Sequence, residues 1–96
     1  MYATIHRHRT GTTPIDDLAD LSWGLTVVLA RCPGFIAAVA VADTSGELCT
    51  IGLFEDRASM SSATPAVERW MAEHFSDLQP DDIRLMAGEV VAQKGI

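Results

Sequence analysis

Two histidines, His6 and His8, stand two residues apart in the alternating run Tyr2–Arg9 (YATIHRHR). On an extended strand, residues two apart share a face. The imidazoles therefore lie side by side, with Arg7 and Arg9 on the opposite face. Imidazole titrates near neutrality, so His6 is a candidate general base or substrate-orienting group. Read as plain strand chemistry, the same run is a polar strand end at a sheet rim. A metal site on His6 and His8 lacks a third ligand, and no metal is expected. Trp70 and His74 form a second constellation, one helical turn apart and hence on one helix face. The indole would wall an aromatic substrate and His74 would serve as a catalytic hydrogen-bonding group. Structurally, they are a core anchor and a helix-surface histidine. Arg84 would meet an acidic substrate group if it faces inward, and is an ordinary strand-surface residue if it does not. Thr50 and Phe54 complete the candidate substrate-binding set. Glu89, if buried, needs Arg7 or Arg69 as a partner. Ser59, Ser61 and Ser62 have no neighbouring base motif, so a nucleophile elbow is not indicated.

These residues must be positioned by a short series of elements. Tyr2–Arg9 reads as a strand. Thr13 suits a helix N-cap with Pro14 in the first turn. Ile15, Leu18, Leu21, Leu25, Val28 and Leu29 then make one apolar helical stripe. Pro33-Gly34 ends that helix, with Arg31 in its last turn. Phe35–Ala42 (FIAAVAVA) and Glu47–Phe54 (ELCTIGLF) read as a hairpin around Asp43–Gly46. From Asp56 the spacing of Met60, Ala63, Val67, Trp70, Met71, His74, Phe75 and Leu78 is helical, with a break or kink expected at Thr64-Pro65 and Thr64 as a fresh cap. Pro80-Asp81 ends this helix, and Ile83–Val91 is the last strand. The order β-α-β-β-α-β implies one ferredoxin-like domain over residues 1–96, an α+β fold with two helices on one face of a four-stranded antiparallel sheet.

Composition narrows the partners. The chain has 96 residues, a net charge of −6 and a hydrophobic fraction of 48%. So acidic a chain does not suit nucleic-acid phosphate. The most apolar stretch, Leu25–Ala42, is broken by Arg31 and Pro33-Gly34 and does not suit a membrane span. No signal peptide is visible in the first 24 residues. Cys32 and Cys49 read as two buried thiols of a reducing, cytoplasmic compartment.

The apolar content exceeds what one short domain can hide. In Phe35–Ala42 both faces are apolar: Phe35, Ala37, Val39 and Val41 on one, Ile36, Ala38, Ala40 and Ala42 on the other. Glu47–Phe54 and Ile83–Val91 behave similarly. An exposed apolar sheet face marks an interaction site, and a two-fold homodimer with sheets face to face is the economical solution. Ala3 and Ile5 suit the helix side of the first strand. That assignment puts Tyr2, Thr4, His6 and His8 on the inter-sheet side, where Gly52, Gly88 and several alanines leave either a cavity or close packing.

Tyr2-Ala3-Thr4-Ile5 opening the first strand, Pro33-Gly34-Phe35 leading into the second and Phe54-Glu55-Asp56 closing the third resemble the dimeric α/β-barrel superfamily. Trp70 and Gly88-Glu89-Val90 add to the likeness, which covers almost the whole chain. Within that superfamily the chain is similar to the small antibiotic-biosynthesis-monooxygenase-like proteins. The resemblance implies a homodimer whose two sheets form a barrel, with a cavity in each subunit between sheet and helices. It also implies oxidation of an aromatic or polyketide-like small molecule by molecular oxygen without metal, flavin or other cofactor. The alternative is a non-enzymatic dimeric binding or interaction module of the same fold. Haem-degrading members use an Asn in the first strand, and this chain contains no Asn. In the polyketide oxygenases Asn, Trp, Tyr and Arg lie near the cavity; here Trp70 and Arg84 match in kind and Tyr2 is the sole Tyr.

Overall fold

A computed structural model describes residues 1–9, 15–74 and 83–95. The elements are β1 (Tyr2–Arg9), α1 (Ile15–Ala30), β2 (Phe35–Ala42), β3 (Glu47–Phe54), α2 (Arg57–His74) and β4 (Ile83–Glu89). The strands pair antiparallel in the order β2-β3-β1-β4. This is the ferredoxin-like α+β arrangement. Strands β1 and β3 are central, and β2 and β4 are the edges. Edge strand β2 carries no charged residue, whereas β4 carries Arg84 and Glu89.

Local chemistry explains the joints. Gly34, just after α1, has φ of +79°, and a Cβ there would run into the Ser59 side chain. Only glycine satisfies both demands. The β2–β3 turn is held by Asp43, whose Oδ1 accepts from the Ser45 hydroxyl (2.6 Å) and the backbone N–H groups of Ser45 and Glu47. Asp56 caps α2, accepting the Ser59 N–H at 2.8 Å.

Leu25 and Leu29 of α1, Phe54 of β3 and Ala63, Val67 and Trp70 of α2 form one buried cluster. Each large side chain in it contributes roughly 1.5–3 kcal/mol by leaving water. Helix α1 packs on β2 and on α2, and α2 packs on β1 and β3. The helix-side residue Leu85 of β4 stays 69% exposed. No described helix is long and apolar enough to cross a membrane.

The structure corrects several expectations. The faces of β1 are reversed: Thr4 and His8 are buried beneath the helices and Tyr2 and His6 lie on the same side, while Ala3, Ile5, Arg7 and Arg9 face away. Register decides this, because Thr4 pairs with Gly52, His6 with Thr50 and His8 with Leu48, all on the helix face of β3. In β2 an irregularity between Phe35 and Ala37 turns Phe35 into the core, edge-on to Phe54 at 6.1 Å, and leaves Ile36 exposed. Helix α2 runs unbroken through Pro65. Pro65 and Ser61, whose carbonyl loses a partner, are both exposed to water. Strand β4 ends at Glu89, and Arg31 lies just beyond α1. The expected Thr13 cap, Pro14, Phe75, Leu78 and Pro80-Asp81 fall outside the described residues.

Candidate functional site

Because neither helix covers β4, a space remains between α2 and the β1–β4 side of the sheet. It is a cavity of about 460 Å³. Its wall is mostly apolar, built from Leu29 of α1, Phe54 of β3, Met60, Ala63, Val67 and Met71 of α2, and Leu85, Met86 and Ala87 of β4. Among the described residues four side chains bring polarity: Thr4 and His6 from β1, and Thr64 and Glu68 from α2. Thr64 donates its hydroxyl to the Met60 carbonyl at 3.3 Å, one turn back. Glu68 is exposed.

The sheet beneath the cavity holds polar atoms without a partner. Thr4 Oγ1, His6 Nδ1 and Thr50 Oγ1 are buried and have no hydrogen bond among the described residues. Buried polar groups of this kind are uncommon and point to a role beyond packing. Burial lowers the pKa of His6 below its ordinary 6.5. Burial, and after it the charge of neighbouring His6, lowers His8 to about 4. Both imidazoles are neutral at pH 7, so His6 brings a lone pair and an N–H to the cavity rather than a charge.

The candidate residues separate. His6 and Phe54 line the cavity. Thr50 is fully buried opposite His6 but does not line it. Trp70 is a buried core residue, stacked on His74, and neither belongs to the wall. Arg84 pairs with Arg7 across β1 and β4, on the far face of the sheet. Sequence reasoning missed Thr4, Thr64, Glu68 and Met71. Thr64, Glu68 and Met71 recur at steps of four and three, a spacing that places them on one face of α2.

The far face of the sheet is a second feature. Val39, Val41 and Met86 are more than half exposed on it, beside the partly buried Ile5, Cys49, Ile51 and Leu53. The ion pair of Arg7 with Glu47 stands at one end, with Arg7 Nε 2.9 Å from Glu47 Oε1. No cluster of three or more His, Cys, Asp or Glu suited to a metal occurs among the described residues.

No family model and no curated protein matches the chain. Solved structures do. A protein of Deinococcus radiodurans assigned as an antibiotic biosynthesis monooxygenase superposes with a TM-score of 0.79 at 13% identity, covering 100% of this chain and 98% of that one. An antibiotic biosynthesis monooxygenase gives 0.72 at 20% identity, covering 96% and 100%. A variant of SnoaB, a cofactor-independent oxygenase from Streptomyces nogalater, gives 0.67 at 13% identity, covering 99% and 96%. The chain has the fold shared by these monooxygenase-like proteins.

Proposed function

We propose that the chain binds a hydrophobic, aromatic or polyketide-like small molecule in the cavity between α2 and β4 and oxidises it with molecular oxygen, without metal or flavin. The carrying observation is an apolar-walled cavity of about 460 Å³ with a neutral imidazole, His6, on its floor. His6 would accept a proton from an activated methylene of the substrate. The resulting carbanion, delocalised into the ring, would reduce molecular oxygen. One oxygen atom becomes the new carbonyl and the other leaves as water, carrying both hydrogens of the methylene. The methylene carbon is oxidised, dioxygen is reduced, and His6 returns to its neutral state. The likeness to a cofactor-independent oxygenase supports this chemistry.

The proposal includes a cytoplasmic homodimer joined through the far sheet face. Its support is the contiguous apolar surface of Val39, Val41, Met86 and their neighbours. Both cysteines are free, which suits a reducing compartment.

Oxygen uptake with anthrones and quinols tests the reading. We expect uptake proportional to protein, falling by about 10²-fold or more in His6→Phe, as loss of a general base does. A second reading, binding without turnover, draws support from Trp70, His74 and Arg84 standing away from the cavity. No uptake across the panel would reject oxidation and leave that second reading.

A further inference from the structure

We infer that the cavity selects an uncharged ligand carrying a hydrogen-bonding oxygen, seats that oxygen on Thr4 and His6, and turns anions away at Glu68. The inference rests on the proposed occupation of this cavity by a small molecule.

Charge is the first argument. None of the described residues lining the cavity is Lys or Arg, and the one carboxylate side chain among them is Glu68. Arg7 and Arg84 lie on the far face of the sheet. An anion seated against this apolar wall would give up part of its hydration without meeting a described cation, which disfavours it against a neutral ligand. Burial keeps His6 neutral, so the imidazole supplies no compensating charge.

Polar satisfaction is the second argument. Thr4 is 8% exposed, lines the cavity and has an unpartnered Oγ1. Opposite it stands Gly52, where a Cβ would come within 3.1 Å of Thr4 Oγ1, 3.4 Å of the Phe54 ring and 3.5 Å of Leu29 Cδ1. The missing side chain leaves a notch that houses the hydroxyl between two cavity-wall residues. A Thr hydroxyl and methyl share one Cβ, so a turn of about 120° in χ1 carries the hydroxyl into the place of the methyl or of the hydrogen. A half-turn of the His6 ring likewise exchanges Nδ1 with a carbon. Both groups gain their missing hydrogen bond by turning toward a ligand oxygen, and a pure hydrocarbon offers them nothing. Phenols and ketones of fused aromatic rings have the required chemistry.

Titration of the full chain with 1-naphthol, naphthalene and 1-naphthoate at pH 7 tests the inference. Naphthol should bind about tenfold or more tighter than naphthalene, the worth of one hydrogen bond to a buried group. Naphthoate should bind weakest. Thr4→Val should erase the preference for naphthol over naphthalene, and Thr4→Ser should keep it. Glu68→Gln should narrow the gap between naphthoate and naphthol several-fold. Thr4→Val should also raise the thermal midpoint of the ligand-free chain, because it removes an orphaned hydroxyl. A lowered midpoint in a folded Thr4→Val variant would assign that hydroxyl to the fold and overturn the inference. Equal binding of naphthol and naphthalene, or a preference for naphthoate, would overturn it while leaving the cavity a binding site. Failure of all three probes to bind would remove the binding reading as well.

Discussion

The imidazole of His74 lies flat on the indole of Trp70, with ring centroids 4.4 Å apart and planes within 15°. Its Nδ1 is 2.9 Å from the Trp70 carbonyl oxygen, which can only accept, so Nδ1 carries the proton. Trp70 is buried in the core, and His74 covers its outer face. We therefore expect His74→Ala to cost about 0.5–1.5 kcal/mol, the worth of an aromatic pair, and to shift part of the tryptophan emission to the red. Trp70→Ala should cost about 3–5 kcal/mol. Urea denaturation followed by fluorescence measures the first, and circular dichroism the second. A loss of ligand affinity in His74→Ala at unchanged stability would contradict this structural role.

Gly34 should tolerate no side chain. Its φ of +79° and the closeness of Ser59 act together. Gly34→Ala is expected to destabilise by more than about 1 kcal/mol. Gly34→Ala combined with Ser59→Gly should recover only part of that, because the backbone strain persists. Full recovery would mean that contact alone matters.

Acid should weaken the fold in two ranges. For His8, lowered to about 4 in the folded state against an ordinary 6.5, the unfolded chain takes up its proton first as pH falls. Its contribution is complete above about pH 6.5 and is lost on the way down to about pH 4, amounting to on the order of 3 kcal/mol. His6 acts in the same direction. Asp43, held below the usual carboxylate range first by the Ser45 hydroxyl, and Asp56, held there first by the Ser59 N–H, add a loss at lower pH. Denaturant midpoints should hold level from about pH 8 to about pH 6.5 and then fall toward pH 4. A flat profile between about pH 6.5 and 4.5 would show that the imidazoles are not desolvated.

The proposed dimer gives a separable expectation. Val39 and Val41 point away from the core and are more than half exposed. Val39→Asp should leave the monomer folded and convert the sedimenting species from dimer to monomer at micromolar concentration. If the unmodified chain already sediments as a monomer, the sheet-face interface does not form.

Much of this architecture was legible in the residue pattern. The six elements and their order follow from alternation in Tyr2–Arg9, the stripe ending at Leu29, and the Asp43–Gly46 turn. The faces of β1 were not legible. Ala3 and Ile5 are more apolar than Thr4, His6 and His8, and hydrophobicity alone sends them inward. Pairing with β3 overrides that preference, because the buried set of β3 is Leu48, Thr50, Gly52 and Phe54. A strand's face follows from its partners, and those are not local in sequence. For the same reason the cavity was reached only in part. His6 and Phe54 stood out by type, but Thr4 and Glu68 are ordinary residues until the space between α2 and β4 brings them together. Trp70 shows the converse: a functional-looking pair that packing absorbs.

The uncharged edge at β2 bears on how the protein behaves when concentrated. Eight consecutive residues, FIAAVAVA, contain none of the lysines or inward charges that usually stop one sheet edge from zipping onto another. What discourages such stacking is the net charge of the whole chain, −6, which keeps molecules apart over a distance set by salt. Colloidal stability of this chain is thus tied to ionic strength and to acidity rather than to any single guarding side chain. Concentrated solutions should turn turbid as salt screens that charge or as pH approaches neutralisation. Lowering the salt or raising the pH should clear them.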